Sequence, residues 1–131
     1  MSREGWKPVT WTVDFGTWGK AEIVADGDGV IVKRPEGSTL GRFMSRRDGL
    51  ARLREQYGSG KRVKAVKWQK DWSHVSAFVS KNPYPQWELE FALHCTGPFE
   101  ARSLERAFQA AEIAAEAVDG ALAVSAGERK V

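Results

Sequence analysis

Two stretches of this chain show the same order of features, short strands followed by a helix, at a nearly constant spacing. The first stretch contains Trp18, and in it Phe43 precedes a helical pattern over Arg46–Tyr57. Trp72 and Phe99 occupy the corresponding positions of the second stretch, 54 and 56 residues later. A duplicated unit would give this pattern, and so would two segments shaped by the same packing rules. In either case the sequence predicts an α+β fold, an antiparallel β-meander plus helix occurring twice in a pseudo-repeat.

The length and composition predict a single domain over residues 1–131. A chain of 131 residues can bury a hydrophobic core without disulfides or metals. Its 42% apolar and 28% charged residues are typical of a soluble globular protein. We expect two sub-repeats, at about 9–60 and 61–120, followed by a partly ordered C-terminal tail.

Alternating apolar and polar side chains predict the strands, and apolar spacings of three and four residues predict the helices. Ser45 precedes Asp48 by three residues, which is typical of the start of a helix. Upstream of that helix, strands are predicted at 9–15, 20–25, 30–34 and 39–44. In the second half we predict strands at 62–68, 72–80 and 87–95, a turn at 69–71 and a helix at 102–118.

The chain offers few side chains for catalysis or metal binding. His74, His94 and the single cysteine, Cys95, do not form a catalytic or metal-ligand pattern. The sequence therefore predicts a protein that is not an enzyme, with no catalytic residue, no metal site and no cofactor. A lone cysteine fits a reducing compartment, so we expect a cytoplasmic location. No apolar run approaches the roughly 20 residues of a membrane span, so no membrane interaction is expected.

Positive charge is concentrated between residues 42 and 70. The whole chain has a net charge of +3, whereas this segment alone has 10 Lys and Arg against 2 Asp and Glu. Clustered cations attract polyanions and release the counterions of nucleic acids. A solvated basic face balanced by an acidic face is the alternative interpretation. The residues predicted to hold phosphates are Arg42, Arg46, Arg47, Arg52, Arg54, Arg62, Lys64, Lys67 and Lys70.

Two of the six tryptophans lie at the end of this basic segment. Trp68 and Trp72 flank Lys70, and Lys67 precedes them. Rings interleaved with cations suit single-stranded nucleic acids, because bases stack on the rings while the cations contact phosphates. We therefore predict that Trp68 and Trp72 stack on bases if the ligand is single-stranded. The tryptophans on the apolar sides of predicted strands, Trp11 and Trp87, are assigned to the core.

Two short motifs of the first half carry a resemblance to a known family. They are Gly-Thr-Trp-Gly-Lys-Ala-Glu-Ile at 16–23 and Gly-Arg-Phe-Met-Ser at 41–45, which leads into the helix. Both resemble the three-strands-plus-helix DNA-binding domains of the ethylene-response-factor and integrase arm-binding type. In that family the sheet lies in the DNA major groove, which implies that DNA is faced here by Lys20, Glu22, Lys33 and Arg34. The tandem topology is also similar to PUR repeats and Whirly proteins, which bind single strands.

Together these features predict a non-enzymatic nucleic-acid-binding protein that uses the basic segment and exposed tryptophans. The sequence does not specify the strandedness of the nucleic acid. The alternative is a protein-binding module, such as a phage-encoded inhibitor or adaptor, that docks on an acidic partner surface. The alanine-rich last helix would also suit contacts within a homo-oligomer.

Overall fold

In residues 5–59, 61–82, 85–91, 94–125 and 127, which the computed structural model describes, the protein has eight β-strands and two α-helices. The predicted α+β fold class is therefore confirmed. The chain divides into two compact units. The N-terminal unit is Pro8–Val66, and the C-terminal unit comprises the described residues of 1–7 and 67–131. In each unit antiparallel strands pack against one helix, and the origin of the units in a duplicated sequence stays a prediction.

Four short strands open the N-terminal unit. The observed strands begin and end within two residues of the predicted ones, because their apolar alternation stops at clear turn residues. At the turn after the second strand, Gly27 has a φ of 61°, which glycine adopts without strain. The strands pair in the order β4-β3-β2-β1, and their bounds are β1 (Lys7–Asp14), β2 (Lys20–Asp26), β3 (Gly29–Lys33) and β4 (Thr39–Phe43).

Helix α1 (Arg46–Tyr57) starts and ends at the residues that the sequence predicts. The backbone N–H of Asp48 donates to the Ser45 side chain at 3.1 Å, which satisfies one of the N–H groups at the start of the helix. At the other end, Gly58 has a φ of 87°, and its N–H donates to the Arg54 carbonyl at 2.9 Å. The predicted cap at Ser45 is therefore confirmed.

The core of the N-terminal unit lies between α1 and one face of its strands. Leu53 of α1 is fully buried together with Val13, Ile23 and Val32, one from each of β1, β2 and β3. Because side chains alternate along a strand, the residues between these positions lie on the face away from α1. That second face includes three of the residues for which the family resemblance implies a contact with DNA.

Gly49 allows α1 to approach the strands closely. A Cβ atom at this position would lie 2.6 Å from Cγ2 of Val32, which is much closer than van der Waals contact. We expect Gly49→Ala to lower the free energy of unfolding by up to about 2 kcal/mol. The cost of overpacking, about 1–3 kcal/mol, exceeds the gain in helix propensity of at most about 1 kcal/mol.

Urea unfolding of Gly49→Ala tests this close contact, with Ala51→Gly as the control. Ala51 is exposed on the same helix, so its replacement by glycine measures helix propensity alone. The opposite result would be a Gly49→Ala protein whose free energy of unfolding rises by as much as that of Ala51→Gly falls. That result would show that the helix has room for a methyl group at position 49.

The C-terminal unit contains antiparallel strands that pair in chain order, followed by a long helix. The first of these strands begins in the N-terminal unit, and only its residues from Lys67 onward belong to the C-terminal unit. The strands are β5 (Lys61–Asp71), β6 (Ser76–Lys81), β7 (Gln86–Phe91) and β8 (His94–Glu100), and the helix is α2 (Leu104–Ser125).

Aromatic rings and alanines form the core of the C-terminal unit. Phe108 of α2 is 1% exposed and stacks on Trp6, with ring centroids 4.9 Å apart and an angle of 12° between the planes. Trp87 is 2% exposed, which confirms its assignment to the core. The helix can approach the strands because it buries small residues, namely Ala107, Ala111 and Ala115.

The single strand predicted at 87–95 is wrong. The chain instead forms β7 and β8, which pair with each other in a register that places Phe91 opposite His94. Apolar alternation continues across the reversal, and the sequence there contains no glycine, proline, asparagine or aspartate. The pattern alone therefore could not locate this turn.

The predicted turn at 69–71 is also wrong, and the strand predicted at 72–80 begins four residues later, at Ser76. Strand β5 continues to Asp71, opposite Ser76, and the chain reverses over 72–75, where the Trp72 N–H donates to the Val75 carbonyl at 2.8 Å. Helix α2 runs to Ser125 and so extends past the predicted end at 118. Among the described residues, neither helix is long and apolar enough to cross a membrane.

Candidate nucleic-acid interface

The eleven residues predicted to bind nucleic acid are divided between the two units. Seven belong to the N-terminal unit: Arg42, Arg46, Arg47, Arg52, Arg54, Arg62 and Lys64. Four belong to the C-terminal unit: Lys67, Trp68, Lys70 and Trp72. The contacts within each unit separate these residues into three groups, which are the paired cations, the unpaired cations and the tryptophans.

Two of the predicted cations in the N-terminal unit are paired with carboxylates. Arg42 Nε lies 3.2 Å from the Asp26 carboxylate, and Nη2 of the same residue lies 3.6 Å from Asp28. Arg52 lies 3.7 Å from Glu55, one turn along α1. Exposed pairs of this kind contribute little to stability, at most about 1 kcal/mol. They nevertheless reduce the positive charge that these two arginines present to a ligand.

Both predicted lysines of the C-terminal unit also have carboxylate partners. Lys67 Nζ lies 3.3 Å from Glu90 Oε1. Lys70 Nζ lies 3.2 Å from Glu112 Oε1, which also accepts a 2.8 Å hydrogen bond from Trp6 Nε1. The side chains of Lys70 and Glu112 are about three-quarters buried, so this pair belongs to the packing of the unit.

The remaining five cations are exposed. Within the part of the chain that the structure describes, none of them lies within 4.0 Å of a carboxylate oxygen. All five belong to the N-terminal unit, which has 11 Lys and Arg against 7 Asp and Glu, a net charge of +4. We call this group the free cations; its members are Arg46, Arg47, Arg54, Arg62 and Lys64.

Two of the free cations line an open groove of the N-terminal unit. The groove has a volume of about 520 Å³, and its walls combine polar and apolar side chains. Arg46 and Arg47 supply its positive charge, and Leu50 and Val63 supply its apolar surface. We call this feature the arginine groove. An anionic ligand with an apolar part would match both of its surfaces.

Trp11 orients one of the two arginines. The guanidinium carbon of Arg46 lies 4.8 Å from the centroid of the Trp11 ring, which is a cation–π contact worth about 0.5–1 kcal/mol at an exposed site. Trp11 is partly buried against the core of the N-terminal unit, in agreement with its assignment to an apolar strand face. Its ring therefore also supports a charged side chain at the surface.

Trp68 and Trp72 lie at the edge of the core of the C-terminal unit, and both are half-buried. The ring of Trp68 meets the ring of Phe108 edge-on, at 5.5 Å between centroids. Trp72 meets Trp6 edge-on at 6.1 Å, and Lys70 Nζ lies 5.2 Å from its ring centroid. These contacts hold both rings against the core, so each ring offers only part of its surface to a ligand.

The most exposed tryptophan is one that the sequence did not single out as a ligand contact. Trp18 is 63% exposed and meets the Tyr57 ring edge-on at 5.5 Å. The Tyr57 hydroxyl donates to Glu36 at 3.1 Å. Burial and this hydrogen bond raise the pKa of Tyr57. The pKa of Glu36 is lowered, because its carboxylate accepts hydrogen bonds from the Glu36 backbone amide and from Tyr57. The sequence does contain an indication of this exposure, because Trp18 lies between Gly16 and Gly19 and glycines are typical of turns.

The residues implied by the family resemblance lie among balanced charges. On the face of the N-terminal unit away from α1, Lys20 is opposite Asp14 and Lys33 is opposite Glu22. Arg34 donates to the Thr39 carbonyl at 2.9 Å and to the Ser38 hydroxyl at 3.3 Å, so its guanidinium is held by the following turn. The positive charges implied by the resemblance are therefore better compensated than those of the free cations.

The described residues contain no group of three or more His, Cys, Asp or Glu placed to hold a metal ion. His74 lies on the turn before β6, where its backbone N–H donates to Asp119 Oδ1 of α2 at 2.7 Å. Its imidazole Nδ1 lies 3.4 Å from the same oxygen. This contact ties the turn to the helix.

Comparisons of the chain with protein-family models, with curated proteins and with solved structures find no match. The resemblance to three-strands-plus-helix DNA-binding domains, which rests on two short motifs, therefore stays a prediction.

Proposed function

We propose that the protein binds nucleic acid without catalysing a reaction, and that the free cations of the N-terminal unit contact the phosphates. The observation that supports this most is the division of the predicted cations into paired and unpaired groups. Arg46, Arg47, Arg54, Arg62 and Lys64 are exposed and have no carboxylate partner among the described residues. Unpaired cations can neutralise phosphates without first giving up an internal ion pair.

Arginine suits this role because of its shape. Four of the five free cations are arginines, and the planar guanidinium can donate two parallel hydrogen bonds to one phosphate. Two of these arginines are neighbours in sequence and line the same groove. Consecutive phosphates of one strand could therefore be contacted by adjacent side chains.

A protein-binding role is the second candidate, and a different observation favours it. Helix α2 exposes three apolar side chains, Ile113, Leu122 and Val124, of which Ile113 is 73% exposed. Ile113 and Val124 are eleven residues apart, about three helical turns, and so lie on the same side of α2; apolar side chains that share a side are more typical of protein contacts than of contacts with phosphate. If the free cations instead bind an acidic partner protein, this chain is expected to bind none of the nucleic acids in the experiment below.

The proposed function is tested by titrating labelled single-stranded DNA, duplex DNA and RNA with the protein and following fluorescence anisotropy. Five phosphate contacts predict a slope of log K against log salt of about −3.5 for a single strand and about −4.5 for a duplex. Binding to a single strand should therefore weaken about 100-fold between roughly 50 mM and 200 mM salt. Absence of salt-sensitive binding to all three at the lower concentration would reject the proposal.

A further inference from the structure

The geometry of the arginine groove points to a more specific ligand than nucleic acid in general. We propose that this groove takes an unpaired base of a single-stranded nucleic acid, with Arg46 as the surface on which the base stacks. This inference rests on the proposed function, because it assigns a strandedness to the same binding unit. It also transfers the stacking role from Trp68 and Trp72 to an arginine supported by Trp11.

The groove has both kinds of surface that a nucleotide requires. Leu50 is half-buried and Val63 is 37% exposed, so both offer apolar surface next to Arg46 and Arg47. Its volume of about 520 Å³ lies within the range of about 300–1,000 Å³ that is usual for small-molecule sites. A phosphate alone would need the arginines but would gain nothing from the apolar wall.

Arg46 can stack on a base because its guanidinium is planar and is held beside the groove by a ring. The guanidinium carbon lies 4.8 Å from the centroid of the Trp11 ring. The Arg46 side chain is exposed and lines the groove. Bases stack on arginine planes as well as on aromatic rings in single-stranded recognition. Contact with Trp11 reduces the side-chain entropy that Arg46 would lose on binding.

A duplex does not offer the group that this groove would accept. In a duplex the bases are stacked on each other and only their edges are accessible from the grooves. A single strand can turn a base away from its neighbours, so that the base reaches an apolar wall while the adjoining phosphates stay with Arg47 and with the in-plane N–H groups of Arg46. The groove therefore favours single strands over duplexes of the same length.

The test compares two single strands that have the same phosphates, a thymidine oligomer and an abasic oligomer of equal length. Stacking of one base predicts that the wild type binds the thymidine oligomer at least about fivefold more tightly. Arg46→Lys keeps the positive charge but removes the planar face, so the ratio of the two affinities should fall towards one. Arg47→Lys is the matched control and should leave the ratio unchanged.

The outcomes separate this inference from the proposed function. Equal binding of both oligomers by the wild type would overturn the stacking site and leave nucleic-acid binding intact. The stacking role assigned to Arg46 would be overturned if Arg46→Lys left the ratio of the two affinities unchanged, or if Arg47→Lys reduced that ratio to one. Failure to bind either oligomer would reject the proposed function itself.

Discussion

Replacement of Phe108 by alanine is expected to lower the free energy of unfolding by about 3–5 kcal/mol. Phe108 is 1% exposed, and its ring stacks on Trp6 and is nearly perpendicular to the ring of Trp68. Truncation removes buried apolar surface and leaves a cavity that the two indoles can fill only in part. It also ends two aromatic contacts, each worth about 0.5–1.5 kcal/mol beyond the buried area.

Urea unfolding followed by circular dichroism measures this loss, and Ile113→Ala is the matched control. Ile113 lies on the same helix, but it is 73% exposed, so its truncation should change the stability by no more than about 0.5 kcal/mol. Both substitutions introduce alanine into α2, which keeps helix propensity favourable. Equal midpoints for the two variants would contradict the placement of Phe108 in the core.

Reversal of both groove arginines, Arg46→Glu with Arg47→Glu, is expected to weaken nucleic-acid binding about 100-fold or more. Loss of two charge-assisted phosphate contacts costs at least about 3 kcal/mol, and the new carboxylates add repulsion. The fold should persist, because both side chains are exposed and acidic residues in the first turn of a helix interact favourably with its dipole. Anisotropy titration of a labelled single strand measures the loss.

A second double reversal provides a control with the same change in net charge. Arg102 and Arg106 are exposed in the C-terminal unit, and both lie within three residues of the start of α2. Arg102→Glu with Arg106→Glu should therefore retain most of the affinity. If the two double variants lose the same affinity, net charge rather than the arginine groove governs binding.

The sequence predicted the strands of the N-terminal unit better than those of the C-terminal unit, and the reason is local. Asp26 ends β2, and Gly27 and Asp28 form the turn after it; the preference of these residues for turns stops the apolar alternation. The reversal between Phe91 and His94 has no such residue, so two strands looked like one. The turn at 72–75 was predicted three residues too early, at 69–71, because the polar run Gln69-Lys70-Asp71 resembles a turn although it ends strand β5.

The sequence predicted where the positive charge of the candidate site is concentrated, but not which of the cations have carboxylate or aromatic partners. The basic segment is visible in the sequence, whereas the partners of Lys67 and Lys70 lie 23 and 42 positions away. These charges come together only in the folded C-terminal unit, where the single strand β6 separates β5 from β7 and α2 packs on the strands. The support of Arg46 by Trp11 joins a strand to a helix 35 positions later in the same way, and no local pattern indicates it.

The salt dependence of binding by the Arg46→Glu, Arg47→Glu variant is the most direct measurement of whether the arginine groove holds phosphates. Each lost contact to a single strand reduces the magnitude of the slope of log K against log salt by about 0.7. The double variant is therefore expected to show a slope smaller in magnitude by about 1.4 than that of the wild type. A slope equal to that of the wild type would mean that phosphates are bound elsewhere and would contradict nucleic-acid binding at this groove.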